Sequence, residues 1–409
     1  MIGVSILGGA LFLYALLSYI RPLRLRWWWK VLLSLPLAAV AFKFQLLYWV
    51  WGGHLFRPQV PMWLELGSNW LFMALLLFVP LLVALDALRL PLWCLLRRRP
   101  GWKRVNNVLN SLLMLATLVT TAVGMHHAFA LPEVREITLR LPQLREPVRL
   151  AMLTDLHADR YKQAEFFREV VTRTNALQAD AVVITGDFED GHLYSLAPAL
   201  APLRHLDAPW GVYAVDGNHD YFSGHDAWQR YLKKLGIRFL NNEHVLPGPG
   251  HLVLAGVTDP AAARDNCPPP DLAQALAGAP AGLPVVLLAH QPRMAAEAAR
   301  RGVALQLSGH THGGHAPGLR EIIARFNGGL AQGLHRIGHT QVYVSNGTSL
   351  WSGFPLRLFT PAEITLITLL PEGKSDSRVS QSLKKALDKL VFIGLKARGI
   401  FESRRDVSP

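Results

Sequence analysis

Four long apolar stretches lie within the first 130 residues and fix what the amino-terminal third of this chain can become. Ile2–Ile20, Val31–Trp51, Trp70–Leu85 and Val108–Ala130 each approach the roughly 20 apolar residues that span a bilayer as a helix, the third being the shortest. A signal peptide is a poor reading of the first, because no basic region precedes it and no small-residue cleavage site follows. Four such runs before any globular pattern also argue against buried soluble helices. The expectation is a membrane domain over residues 1–131 with about four transmembrane helices.

Charge orients these helices. Arg21, Arg24, Arg26 and Lys30 follow the first stretch, and Arg89, Arg97, Arg98, Arg99, Lys103 and Arg104 follow the third. Between the second and third there is only Arg57, offset by Glu65. Positive charge marks the cytoplasmic side, so the amino terminus and everything beyond the fourth helix are expected outside a cell (inner) membrane; losing one helix would invert this. The net charge of +13 has the same origin. Residues 1–106 hold 12 Lys/Arg against 2 Asp/Glu, residues 107–370 hold 21 against 22, and residues 371–409 hold 9 against 5. A nucleic-acid footprint would put the excess on the globular part, so no nucleic-acid partner is expected.

After Leu131 the pattern changes to short apolar runs bounded by turn residues, which read as buried strands. They are Val148–Thr154, Ala181–Thr185, Gly211–Val215, Pro284–Ala289 and Val303–Ser308. Each is closely followed by side chains that bind metal through O or N: Asp155-Leu156-His157, Gly186-Asp187, Gly217-Asn218-His219-Asp220, His290, and Gly309-His310-Thr311-His312. A lone His or Asp at a strand end is usually a cap or a solvated turn. Five in succession point to one site, because loops leaving the carboxyl ends of strands line the crevice of open α/β folds. A mixed Asp, Asn and His set suits manganese, iron or zinc better than magnesium. Two such ions about 3.5–4 Å apart can clamp a phosphate, activate water and stabilise the leaving oxygen.

The order D-x-H, G-D, G-N-H-D, H, G-H-T-H resembles the calcineurin-like metallophosphoesterases. The strings VDGNHDY, LAHQP, SGHTHGG and PLRLFTPAEITLITL are similar to their bacterial membrane-anchored branch. The resemblance runs from about Val134 to Leu370. It implies an αββα sandwich of two mixed sheets flanked by helices, over residues 132–370. It implies two divalent metal ions, one held by Asp155, His157 and His312, the other by Asn218, His290 and His310, with Asp187 bridging. It also implies that His219 contacts the phosphate or protonates the leaving group, with Asp220 orienting its imidazole. Asp159 and His315 depart from that branch beside ligands, where Gly and Gln are common, and so bear on substrate choice.

Other segments read more plainly. Ile137–Leu141 is an expected edge strand, and Lys162–Leu177, Leu193–Leu206 and Ala227–Leu235 are expected helices. Leu252–Ala255, Val342–Ser345 and Glu363–Leu369 extend the sheets. Pro260–Pro284 reads as a loop with one short helix, either a surface insertion or a lid. Phe188, Tyr194, Tyr221, Phe222 and Trp228 are local core or, beside a membrane, a port for an acyl or prenyl chain. Residues 371–409 form a basic tail, polar at Gly373–Ser382 and amphipathic over Leu383–Phe401, suited to a membrane surface or to docking on the catalytic domain. Cys94 and Cys267 form no Cys-x-x-Cys and no plausible disulfide. No G-x-S-x-G elbow and no Walker glycine loop is present. The reading is a membrane-anchored dinuclear phosphoesterase (monoesterase, phosphodiesterase or pyrophosphatase) acting on an envelope or lipid-linked substrate. The alternative is a membrane-bound protein that binds or senses a phosphorylated ligand without turnover.

Overall fold

The computed structural model describes residues 2–54, 57–58, 60–96 and 101–372. Arg97–Arg99 of the second basic loop and the tail helix expected over Leu383–Phe401 lie outside the described residues.

The apolar third forms helices. α1 (Ile2–Ala15) runs on through a π-helical turn, Leu16–Ile20. α2 (Trp27–Ala41) and α3 (Lys43–Trp51) replace the expected second helix, meeting at Phe42 with a bend of 78°. At the bend Lys43 is 2% exposed, bonded to Asn69 and lying over the rings of Phe44 and Phe72 at 4.2 and 5.2 Å. A two-residue hairpin of β1 (Gly53–His54) and β2 (Arg57–Pro58) follows.

α4 (Met62–Leu96) has 35 residues and is far longer than the expected Trp70–Leu85. The polar residues that bounded the apolar core find partners and stay helical. Asp86 accepts from the Tyr14 hydroxyl at 3.1 Å, and Arg89 donates to Asn110 at 2.6 Å. α5 is Trp102–Ala128. Among the described residues, three helices are long and apolar enough to cross a membrane, or four if α2 and α3 form one broken span.

The remainder is built from β3 (Glu133–Leu141), β4 (Val148–Leu153), β5 (Ala181–Thr185), β6 (Val212–Val215), β7 (Ile237–Phe239) and β8 (Glu243–Val245). It continues with β9 (Val253–Gly256), β10 (Val285–Leu288), β11 (Leu305–Ser308), β12 (Gly333–Ile337), β13 (Thr340–Val344) and β14 (Glu363–Pro371). Two six-stranded mixed sheets result, ordered β3-β14-β4-β5-β6-β7 and β12-β13-β11-β10-β9-β8. β3 is an edge strand, as its sequence position implied.

Alternation along the strands makes the layers. Leu150 and Met152 of β4 and Val183 of β5 face Leu254, Val286 and Leu307 across the interior between the sheets. The intervening Ala151, Leu153, Val182 and Ile184 pack outward with Phe167 and Val170 of α6 (Ala164–Ala176), Leu196 of α7 (Leu193–Leu200) and Trp228 of α8 (His225–Lys234). The outer face of the other sheet packs on α9 (Leu272–Ala275) and α10 (Ala295–Arg300). This is the αββα sandwich, with α11 (Leu319–Phe326) after the last histidine loop.

Leu356 and Ala316 of the sandwich are buried in one apolar cluster with Phe72, Met73 and Phe78 of α4. Arg160 donates to the Val60 carbonyl at 2.6 Å and pairs with Glu65, which also accepts from the Tyr161 hydroxyl at 2.7 Å. The start of α4 therefore lies against the sandwich, as does the end of α5, where Arg357 N donates to Gly124 O at 3.0 Å.

Candidate metal centre

β4, β5 and β6 run parallel to one another, as do β10 and β11 in the second sheet, so their carboxyl ends gather at one edge of the sandwich. Backbone bonds stitch the loops that leave them. Asp155 N donates to Gly186 O at 2.9 Å, His157 N to Asp187 O at 3.0 Å, and Gly309 N to His290 O at 3.0 Å. The packing is close enough to need glycine: a Cβ on Gly217 would strike the Asp187 carboxylate, and one on Gly309 would strike Thr154 and Asp155. Asp155, His157, Asp187, His310 and His312 all take φ between 44° and 71°. Left-handed backbone at non-glycine residues costs on the order of 1–3 kcal/mol each and concentrates where surroundings impose a functional geometry.

The ring nitrogens show what the centre is shaped for. His290 Nδ1 donates to Thr185 O at 2.7 Å, so neutral His290 presents a lone pair at Nε2. That lone pair faces Asp187 Oδ2 and Asn218 Oδ1, both at 3.2 Å and both acceptors. His157 Nδ1 donates to Asp190 Oδ2 at 2.9 Å, leaving its buried Nε2 with no hydrogen-bond partner, 3.6 Å from Asp187 and 3.9 Å from Asp155. His312 Nε2 lies 3.8 Å from Asp155 Oδ1. Acceptors turned on acceptors in a buried site need positive charge between them. Spacings of 3.6–3.9 Å exceed a hydrogen bond and match the edge of a coordination shell with bonds of about 2.0–2.2 Å. Ligand atoms of Asp155, His157 and His312, and likewise of Asp155, Asp187 and His290, fall within 4.8 Å of one another. The donor set fits divalent cations.

Charge follows the same geometry. Burial pushes the Asp187 carboxyl up, but the His290, His219 and His157 imidazoles outweigh it and leave it low. Burial pulls His290 down, yet Asp187 and Asp155 hold it well above the usual imidazole range, because the carboxylates demand at Nε2 a positive charge that either a proton or a divalent cation would supply. Burial and the neighbouring His290 hold His310 down to about 3, which keeps its ring neutral and able to ligate.

Asp155 is common to the two groups, and Asp187 Oδ2 lies 3.6 Å from His157 Nε2 and 3.2 Å from His290 Nε2, while Asn218 and His310 adjoin His290, whose ring is 5.1 Å from that of His310. His219 sits at the rim with its side chain 17% exposed.

Asp220 does not orient His219. Its two carboxylate oxygens accept the backbone N–H groups of Asp187 (2.9 Å), Phe188 (2.7 Å) and Gly217 (2.7 Å), fixing the floor. Burial and the charges of Asp187 and Asp216 push its carboxyl up to about 8. The residue that orients His219 is Asp190, whose Oδ1 accepts from His219 Nδ1 at 2.6 Å while Oδ2 holds His157. Burial raises the Asp190 carboxyl, but the two imidazoles bring it well below the usual range.

Sequence reasoning also missed two residues of the segment after β13. Arg357, 1% exposed, donates to the carbonyls of Asn346 (2.8 Å), Ser349 (2.5 Å) and Thr360 (2.9 Å), bracing the loop that abuts Asp155 and His312. Trp351 stands edge-on to His219 at 5.7 Å. Arg357 belongs to the quoted PLRLF string, whereas a lone Trp351 carries no local signal. Asp159 caps Tyr161 and Lys162 N–H at 2.8 and 2.9 Å and pairs with Lys162 at 3.1 Å, a structural role. His315 Nδ1 donates to Leu356 O at 3.2 Å. Among the aromatic residues, Phe188, Tyr221 and Trp228 are core, while Tyr194 and Phe222 are exposed.

A strand-end cluster of buried Asp and His ligand atoms is a candidate metal centre. The family description "Calcineurin-like phosphoesterase" matches residues 148–314. An uncharacterized metallophosphoesterase of Helicobacter pylori is 32% identical over 280 residues, spanning 68% of this chain and 74% of that one. A transmembrane protein with metallophosphoesterase domain from Danio rerio is 34% identical over 272 residues, 63% of this chain and 62% of its own. Its counterpart from Bos taurus is 35% identical over 280 residues, with the same coverage of 63% and 62%. This chain belongs to the calcineurin-like metallophosphoesterases and is a phosphoric ester hydrolase of that metal-using family.

Proposed function

We propose that the chain is a multi-pass membrane phosphoesterase whose dinuclear centre hydrolyses a phosphate ester or pyrophosphate of a lipid-linked substrate. The proposed parts are a membrane domain (residues 1–131), a catalytic domain (132–370) and a basic tail (371–409). Asp155, His157 and His312 would hold one divalent cation, Asn218, His290 and His310 the other, with Asp187 between. Manganese, iron or zinc suits these donors. Such ions, when bound, polarise phosphoryl oxygens and lower the pKa of water. The chain's own residues do the rest. Asp190 fixes the His219 ring by Nδ1, which leaves Nε2 to protonate the departing oxygen, and the Asp190 charge stabilises the imidazolium that donates. Trp351 and Phe222 flank the His219 ring, at 5.7 and 5.5 Å.

One observation carries the lipid reading: the loop bearing Trp351 is held by the helix bundle. Asn69 of α4 donates to Ser352 O at 2.9 Å, and Phe354 packs in the cluster built around α4. The rim of the catalytic site is thus continuous with a helix apolar enough to span a bilayer, where a lipid headgroup would meet it.

Charge supports an extracytoplasmic catalytic domain. The end of α1 meets the start of α5, with Asn110 donating to Ser18 O at 3.3 Å and Asn107 to Pro22 O at 3.1 Å, so Arg21, Arg24, Arg26, Lys103 and Arg104 share the end away from the sandwich. Positive charge there favours that end inside.

The test is turnover by full-length protein in detergent, stripped of metal and reloaded with manganese. Substrates are p-nitrophenyl phosphate, bis-p-nitrophenyl phosphate and long-chain lipid phosphates, with Asp187→Asn as control. Manganese-dependent hydrolysis that favours a lipid phosphate supports the proposal. A preference for small soluble esters over every lipid overturns the lipid reading, and phosphate-ligand binding without turnover overturns the enzyme in favour of a sensor.

A further inference from the structure

Outside the catalytic cleft, His225 begins α8 and is 5% exposed. Its Nε2 lies 3.1 Å from Asp216 Oδ2, a carboxylate that also accepts from the Tyr221 hydroxyl at 3.1 Å and the Gln229 amide at 3.0 Å. A ring nitrogen against an ionised carboxylate donates, so the neutral tautomer carries its lone pair on Nδ1. That nitrogen faces Cys267 Sγ at 3.6 Å.

The segment carrying Cys267 is built to deliver it there. Asp259 caps the 3-10 turn Pro260–Asp265, Ala261 and Ala262 pack on Tyr221, and Asn266 reverses the chain at φ 54°. This turn sets Asp265 beside Cys267, and a carboxylate oxygen of Asp265, the thiol sulfur and His225 Nδ1 all lie within 4.8 Å of one another. Bonds of about 2.0–2.1 Å to nitrogen and 2.3 Å to sulfur, at a tetrahedral angle, put the two donor atoms about 3.6 Å apart.

We propose that His225 Nδ1, Cys267 Sγ and an Asp265 carboxylate oxygen form a separate binding site for a zinc-class divalent cation, with solvent in the fourth position. The Asp216–His225 bond is the arrangement by which a carboxylate fixes the tautomer of a metal-bound imidazole. Sulfur distinguishes this site from the catalytic centre, whose proposed donors are N and O, and selects zinc or cobalt over manganese. The site has a route to the cleft. Arg264, next to Asp265, lies over the Phe222 ring at 5.4 Å, and that ring stands against His219 at 5.5 Å. A cation here pins the segment after β9 to α8 and stiffens one wall of the rim.

Cobalt gives a readout the catalytic centre cannot produce. Full-length protein titrated with cobalt should develop a thiolate-to-cobalt charge-transfer band in the near ultraviolet. Cys267→Ser should abolish the band, Cys94→Ser should keep it, and excess zinc should displace it. No band in the unsubstituted protein, or a band that survives Cys267→Ser, overturns the site. A second measurement needs no variant: zinc should slow iodoacetamide alkylation of Cys267, followed by mass spectrometry of its peptide, by roughly tenfold or more. Equal alkylation rates with and without zinc also overturn it.

Discussion

The helix bundle and the sandwich both bury polar side chains, but they finish them differently. In the bundle most of the named polar groups pair with one another, Arg89 with Asn110, Asp86 with Tyr14 and Lys43 with Asn69, and the atoms left over, such as Arg89 Nη2 and Gln45 Oε1, are scattered singly. In the sandwich, the cluster at the strand ends leaves acceptors facing acceptors, as at His290 Nε2 and His157 Nε2. An unsatisfied buried polar atom costs about 1–3 kcal/mol, so a chain retains several together only where something binds them. Paired or singly unpaired burial reads as architecture, and acceptors converging on one point read as a site.

The largest effect should come from the residue whose oxygens sit at the centre of the unpaired set. Asp187→Asn should remove essentially all turnover and lower metal content, measured by elemental analysis, while the circular dichroism spectrum is unchanged. His219→Ala should lower kcat by about 10²–10⁴-fold with metal content intact, because His219 acts on the leaving oxygen. Loss of metal in His219→Ala would move that residue from the proton-donor role into the ligand set.

The two neighbouring carboxylates offer a finer cut. Asp190→Asn should cost about 10–100-fold in activity or metal affinity, since one carboxylate steadies both His157 and His219. Asp220→Asn should act on stability, by about 1–3 kcal/mol in a denaturant titration, because an amide cannot accept all three backbone N–H groups. Equal kinetic and stability losses in both variants would erase the distinction drawn between them.

That distinction also marks how far the sequence could be read. The sandwich was legible because β4, β5, β10 and β11 are short apolar runs between turn residues, and the five motifs follow strand ends whose order in the chain is unaffected by folding. In the sequence Asp190 and Asp220 are both aspartates close to a motif, with nothing to tell them apart. Only the path of the chain after β5 determines which one reaches the imidazole. Trp351 and Arg357 act through a loop packed between the sandwich and α4, a long-range contact with no periodic signature. In the bundle, apolarity located the helices but not their ends. α4 continues past the apolar core because Glu65, Asn69 and Arg89 meet partners distant in sequence, and the break at Phe42 was hidden inside a uniformly apolar run.

The smallest expected effect tests whether the two regions are coupled. Asn69 accepts from Lys43 and donates to Ser352 O, one residue after Trp351. Asn69→Leu keeps the volume and removes both bonds, which leaves the Lys43 ammonium buried over two rings without that acceptor. Stability should fall by about 1–3 kcal/mol. The catalytic ligands do not touch Asn69, so kcat on p-nitrophenyl phosphate should hold within about twofold once metal is saturating. If the bundle merely anchors the enzyme, KM for a long-chain lipid phosphate should hold as well. If the bundle positions the rim, that KM should rise several-fold while the soluble ester is unaffected, because the loosened loop is the one that would meet a headgroup arriving from the bilayer. The ratio of the two KM changes therefore measures how far the helices belong to the active site.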